Sequence, residues 1–337
     1  MRALVFEEFG EPAEVLKLID VPVPEPKSGE VRVRMLASPI NPSDMMSIRG
    51  IYGKRPKLPA TPGFEGVGIV EASGGGLLGK FLQGKRVAVL NRETGNWCDQ
   101  TVLPAKQAIP LSSKLPLEQA AMFFVNPATA YVMTREVLAV PRGEWLLQTA
   151  AGSALGQMVI RLGQHFGFKT LNVVRRSEQV QELKSLGADA VLVFNPENQS
   201  SEDFQNQVRN LTNGKGVHWA IDPVGGATGS AVVGCLGENA RLLVYGTLDD
   251  QPLQFSPRQL MTVGSRVEGF WLSRYMNTLG LLAKLKLIRK ITQLMLSAIL
   301  VSEVSEIFPL EKFAEAVSLS EKPGRGGKVL LKVADAK

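Results

Sequence analysis

Histidine and cysteine are scarce in this 337-residue chain: there are two of each. Cys98 and Cys235 stand far apart, which fits a reducing compartment and excludes a disulfide framework. Both histidines, His165 and His218, fall in the second half, and Cys98 stands alone in the first. A zinc site needs three or four converging Cys, His or carboxylate ligands, so no metal is expected. No run of eighteen apolar residues exists, which excludes a membrane span. The chain opens on strand-like Arg2–Phe6 with no targeting peptide, so a cytoplasmic location is expected, or a mitochondrial one if a leader has been trimmed. Acidic residues trail basic ones only slightly, leaving a net charge of +6 with no basic tail. That balance does not point to nucleic acid; an anionic cofactor and substrate suit it as well. Only four tyrosines occur, so each is worth placing.

The pattern changes near residue 118. Before it, short strands alternate with proline and glycine turns: Arg2–Phe6, Leu16–Val21, Glu30–Ser38, Gly66–Ala72, Arg86–Leu90 and Gln100–Leu103. After it, helical segments alternate with strands at Ala190–Phe194, His218–Asp222, Ala240–Tyr245 and Arg266–Leu272, which predicts a parallel sheet covered on both faces. Asn277–Leu300 reads as one long helix with an apolar stripe packed inward and a basic outer face. The end of the chain predicts a helix at Leu310–Ser320 and a strand at Lys328–Val333.

The stretch Glu144–Arg176 reads strand, small-residue turn, helix, strand. Gly152, Ser153, Ala154 and Leu155 open the helix, where small residues let the backbone approach a pyrophosphate. An NAD site places an acid at the end of the second strand. Here Arg175 and Arg176 stand there, which suits the 2′-phosphate of NADPH. Gly74–Gly79 fits G-x-G-x-x-G by letter, but a new strand begins too soon after it; it is expected to be a hairpin-type loop.

The β-rich front, nucleotide-binding half and C-terminal return resemble the medium-chain dehydrogenase/reductase superfamily over nearly the whole chain. Within it, Asn41-Pro42-Ser43-Asp44, Arg49-Gly50-Ile51-Tyr52-Gly53, Val125–Tyr131, Asn172–Arg175, Leu183–Ala188 and Gly269-Phe270-Trp271-Leu272-Ser273 resemble mitochondrial-type trans-2-enoyl-thioester reductases. The resemblance implies a GroES-like β-rich catalytic domain at 1–118, completed by 301–337, and a doubly wound Rossmann NADP-binding domain at 119–300. It implies cofactor contacts from Asn41, Asn126, Thr129, Gly152–Leu155, Arg175, Arg176, Ser177, Tyr245, Gly246, Thr247, Leu248, Phe270, Trp271, Leu272 and Lys328. Where zinc relatives have Gly-His-Glu, this chain reads Gly63-Phe64-Glu65.

Without a metal Lewis acid, an activated C=C bond is the easier target: hydride adds at the β-carbon and charge builds on the carbonyl oxygen. Tyr52 is the candidate donor to that oxygen, and the resemblance assigns the catalytic tyrosine to this position. Lys54, Arg55 and Lys57 beside it are candidates for meeting coenzyme A phosphates or an acidic acyl carrier protein. The leading expectation is NADPH-dependent reduction of enoyl thioesters by a homodimer paired through Arg266–Phe270. A quinone or alkenal reductase, and a non-catalytic NADPH-binding protein, stay open.

Overall fold

The computed structural model describes residues 1–53, 55–91 and 94–334, which form two compact units. The first comprises Met1–Val125 and Val301–Lys337; the second is Asn126–Leu300.

The first unit holds a two-stranded antiparallel pair, β1 (Arg2–Val5) and β2 (Lys17–Asp20), and a larger sheet. The larger sheet contains β3 (Glu30–Pro39), β4 (Glu65–Ser73), β5 (Arg86–Leu90), β6 (Gln100–Pro104) and β7 (Ala108–Pro110). It follows the order β5 against β4, β4 against β3 and β3 against β6, all antiparallel, with β7 on β5. Alternation along β3 (Val31, Val33 and Met35 buried, Arg32 and Arg34 half-buried) sets its register, because a one-residue slip would turn the arginines inward. The unit boundary falls later than 118 because the short helix Leu117–Ala121 packs on β3 and β4 with Ala120 and Ala121 buried.

Gly74–Gly79 lies between the antiparallel strands β4 and β5. Contrary to a plain hairpin loop, it opens a six-residue helix, Leu77–Leu82. A dinucleotide fingerprint needs a parallel βαβ unit, and this connection is not one.

The second unit carries a six-stranded parallel sheet: β8 (Trp145–Gln148), β9 (Lys169–Val174), β10 (Ala190–Val193), β11 (Val217–Asp222), β12 (Leu236–Val244) and β13 (Arg266–Gly269). Its order is β10-β9-β8-β11-β12-β13, so the chain reverses direction across the sheet at β8/β11. Ligands bind at such a switch point, beyond the carboxyl ends of the strands. Leu147, Leu171, Val217, Ala220 and Leu242 form its core.

Two further elements differ from the sequence-based expectation. The stretch read as one helix from Asn277 is two, Leu272–Thr278 and Leu281–Leu296, parted at Gly280. Its stripe divides as well: Leu287, Ile291, Leu294 and Met295 are buried, whereas Leu281, Leu282 and Leu285 are exposed. Near the C-terminus, β14 (Val304–Pro309) pairs in parallel with β15 (Lys328–Lys332), which joins β3. β14 escaped the alternation rule because Glu306 and Pro309 are exposed beside buried Phe308.

Candidate active site

In the first unit, the described residues between Asn41 and Arg55 are pinned at several points. Pro42 opens the helix Pro42–Ile48, where a missing N–H costs nothing. After it, Arg49 donates to Glu11 and Glu321, each at 2.7 Å. Gly50 takes φ +74°, and a Cβ there would sit 2.8 Å from the Phe9 ring. Only glycine tolerates that turn and that approach. Arg55 Nε donates to the Gly50 carbonyl at 2.7 Å, and its guanidinium lies over Phe9, 5.2 Å from the centroid. Arg55 is therefore committed to holding the loop; Lys57 is exposed, and Lys54 lies outside the described residues. Tyr52, half-buried, packs its ring on Phe64 with centroids 5.3 Å apart.

Beside Phe64 lies a buried polar network. Lys328 Nζ donates to the Asn41 side-chain oxygen and to the Ile40 carbonyl, the latter at 3.3 Å. Asn41 Nδ2 donates to Glu65 Oε1 at 3.0 Å. Glu65 Oε2 accepts the backbone N–H groups of Phe124 (3.2 Å) and Val125 (2.9 Å), which start the helix Val125–Tyr131. Asp44 accepts the N–H of Asn41 at 2.7 Å and of Phe64 at 2.9 Å. Burial pushes Asp44 up to about 7 and raises Glu65, against the donors that favour their charged forms. Burial pulls Lys328 down to about 8, against the opposing pull of Glu65 and Asp44. Asn41 and Lys328, both expected among the cofactor contacts, are thus joined to each other through their polar ends. Glu65 and Asp44, which complete the cluster, were not legible as part of a network, because Lys328 joins it only across 288 positions of chain, at the Ile40 carbonyl.

In the second unit, Ala150 takes φ +48° between β8 and the helix Ala154–Phe166. Ser153 caps that helix, its hydroxyl accepting the Gly156 N–H at 3.1 Å. A Cβ on Gly156 would meet the Ala151 carbonyl oxygen at 2.4 Å, so the helix start sits hard against the turn. Arg175 is exposed immediately beyond β9, followed by half-buried Arg176 and exposed Ser177. Asp222, at the end of β11, accepts the Thr149 hydroxyl and the N–H groups of Val224 (3.0 Å) and Gly225 (2.9 Å). Tyr245 follows β12, and desolvation with the nearby Asp222 charge raises its phenol. Gly246, Thr247 and Leu248 continue that strand end, with Leu248 exposed. Phe270, Trp271 and Leu272 were read as strand; β13 stops at Gly269, Phe270 still donates its N–H to Val244, and Leu272 begins a helix. Asn126 and Thr129 lie on the helix Val125–Tyr131, Thr129 buried.

Two family models match the chain: an alcohol dehydrogenase GroES-like domain at residues 27–113 and a zinc-binding dehydrogenase at 154–286. The enoyl-[acyl-carrier-protein] reductase, mitochondrial, of Xenopus tropicalis is 32% identical over 98% of this chain and 95% of its own length. The human protein of the same name is 32% identical over 98% of this chain and 88% of its own. This chain belongs to the mitochondrial-type enoyl reductases of the medium-chain dehydrogenase/reductase superfamily. Among solved structures, one from Bacillus thuringiensis described as an NADPH:quinone reductase is 30% identical with a TM-score of 0.90, covering 99% of both chains. Mycobacterial Rv1454c, solved with NADPH, is 25% identical with a TM-score of 0.88 over 99% of this chain and 100% of that one.

Zinc, which the description of one family model implies, does not fit the residues of this enoyl reductase. Among the described residues no group of three or more His, Cys, Asp or Glu could hold a metal. Glu65 is occupied by amide donors, and burial pushes the Cys98 thiol up to about 12, away from the thiolate a metal needs. A nicotinamide cofactor does fit: a small-residue turn at a capped helix start, with an arginine exposed at the next strand end, matches a dinucleotide carrying an extra phosphate.

Proposed function

We propose that this reductase uses NADPH to reduce the C=C bond of trans-2-enoyl thioesters, carried on coenzyme A or on an acyl carrier protein. The observation that carries the reading is the full-length match to enoyl reductases together with Tyr52 on a loop held by Arg49, Arg55 and Phe64. When bound, NADPH supplies the hydride that adds to the β-carbon. The helix start at Ser153, Ala154 and Leu155 takes the pyrophosphate, and Arg175 takes the 2′-phosphate, with Arg176 and Ser177 beside it. Asn126, Thr129, Tyr245–Leu248 and Phe270–Leu272 supply the surrounding contacts. Asn41 and Lys328 act from within their buried network, which sets the segment leading to Tyr52.

Tyr52 meets the carbonyl oxygen of the thioester as charge develops there, or delivers the α-carbon proton. A tyrosine phenol does either without a prior ionisation step. Because the charge exists only on the way to product, this contact lowers the barrier rather than tightening substrate binding.

The quinone-reductase reading has its own support in the Bacillus thuringiensis structure. NADPH oxidation measured over enoyl thioesters, free enones and quinones separates the two. Turnover of crotonyl-CoA well above that of a simple quinone is the expected result, and the reverse order would favour the quinone reading. The subunits pair through β13, the outer strand of the six-stranded sheet, whose open edge is a pairing template. Solution scattering at micromolar concentration should return a dimer mass; a monomer would refute the pairing.

A further inference from the structure

The Leu281–Leu296 helix is built in two halves. From Leu287 onward it is anchored by buried Leu287, Ile291, Leu294 and Met295. Its N-terminal half offers Leu281 (72% exposed), Leu282 (82%) and Leu285 (53%) to solvent. Positions 281, 282, 285 and 289 share one helical face, so the leucines form a single patch with Arg289 at its border. Lys286 and Arg289 are exposed beside it. From Gly269 to Ser302 there is no Asp or Glu, against five cations: Arg274, Lys284, Lys286, Arg289 and Lys290. Lys290 is engaged over the Phe166 ring, 5.6 Å from its centroid. The stretch follows directly on β13, whose carboxyl end belongs to the ligand-bearing edge of the sheet.

An exposed cluster of large apolar side chains marks an interface, and its charged surround selects the partner. A second copy in a two-fold contact would set this cationic patch against itself, which repels. A nucleic acid would gain little from three leucines. The patch calls for an acidic protein surface carrying apolar side chains.

We propose that the N-terminal half of the Leu281–Leu296 helix docks an acidic acyl carrier protein that presents the enoyl thioester. This inference rests on the enoyl-reductase reading, and the test separates the two. The double variant Lys286→Glu/Arg289→Glu alters exposed residues outside the catalytic and cofactor machinery. A second variant, Leu282→Ala, keeps the charge and trims the patch. Each is assayed with a crotonyl group on acyl carrier protein and with a short uncharged crotonyl thioester. Binding of the carrier protein alone is titrated in parallel.

The expected result is a KM for the carrier-bound substrate raised tenfold or more by the charge reversal, and several-fold by Leu282→Ala. Turnover of the uncharged thioester should not change, and wild-type affinity for the carrier should fall with added salt. Equal behaviour of variant and wild type on the carrier-bound substrate would overturn the docking site. So would a wild type that reduces the small thioester but does not bind the carrier. Wild-type binding to anionic phospholipid vesicles in place of the carrier would assign the patch to a lipid surface, and loss of the dimer in the variant would assign it to a second copy; either contradicts the proposal. If neither thioester is reduced while the carrier still binds through this patch, the docking site stands and the enoyl-reductase reading fails.

Discussion

The Tyr52 and Phe64 rings lie 5.3 Å apart at 42°, and the Phe64 N–H donates to Asp44 Oδ1 at 2.9 Å. The aromatic contact joins the Tyr52 loop to the backbone that leads into Glu65. Through Glu65 it meets Asn41 and Lys328. The phenol is therefore positioned through contact with a buried network as well as by its own loop.

Asp44 should leave a pH signature on stability. Its folded value, about 7, lies above its ordinary value of 3.8, so the folded state binds the proton more tightly. That contribution is fully present below the unfolded value and is lost as pH rises through about 7. The difference in melting temperature between wild type and Asp44→Asn should therefore be larger at pH 5 than at pH 8, with the wild type more stable. Thermal unfolding of both proteins across that range checks it; a constant difference would contradict it.

Two glycines of the nucleotide turn should behave differently. A Cβ on Gly156 meets the Ala151 backbone at 2.4 Å, and backbone cannot yield cheaply. A Cβ on Gly152 meets the Gln179 amide end at 2.0 Å, a flexible tip that can swing away. Gly156→Ala should cost about 1–3 kcal/mol of stability, and Gly152→Ala much less. Urea unfolding of the two variants reads the contrast.

Arg175→Ala should weaken NADPH binding without comparable loss for NADH. A charge-assisted hydrogen bond contributes about 1.5–3 kcal/mol, which is roughly a 10- to 150-fold change in Kd. Fluorescence titration of both cofactors measures it. Equal affinity of the wild type for NADH and NADPH would undo the assignment of the strand end.

The parallel sheet was legible because strands such as Ala190–Val193 form apolar runs between helical periods. The turn at Gly152–Leu155 was legible because its residue types are dictated locally. The Glu65 network was not: Lys328 and Asn41 meet only because β15 pairs with β3, and no local pattern records that pairing. The single helix expected from Asn277 failed at Gly280, since a continuous apolar period conceals a break where the chain changes direction. The exposed leucines at its start were invisible for a related reason. Periodicity tells which residues share a face, not whether anything covers that face.

The most direct test of the account is Tyr52→Phe, which removes one oxygen and keeps the ring against Phe64. Steady-state kinetics on an enoyl thioester, with NADPH affinity measured alongside, should show kcat lowered by roughly 10²–10³-fold while KM, NADPH binding and melting temperature hold. An unchanged kcat would remove Tyr52 from the chemistry and contradict the mechanism.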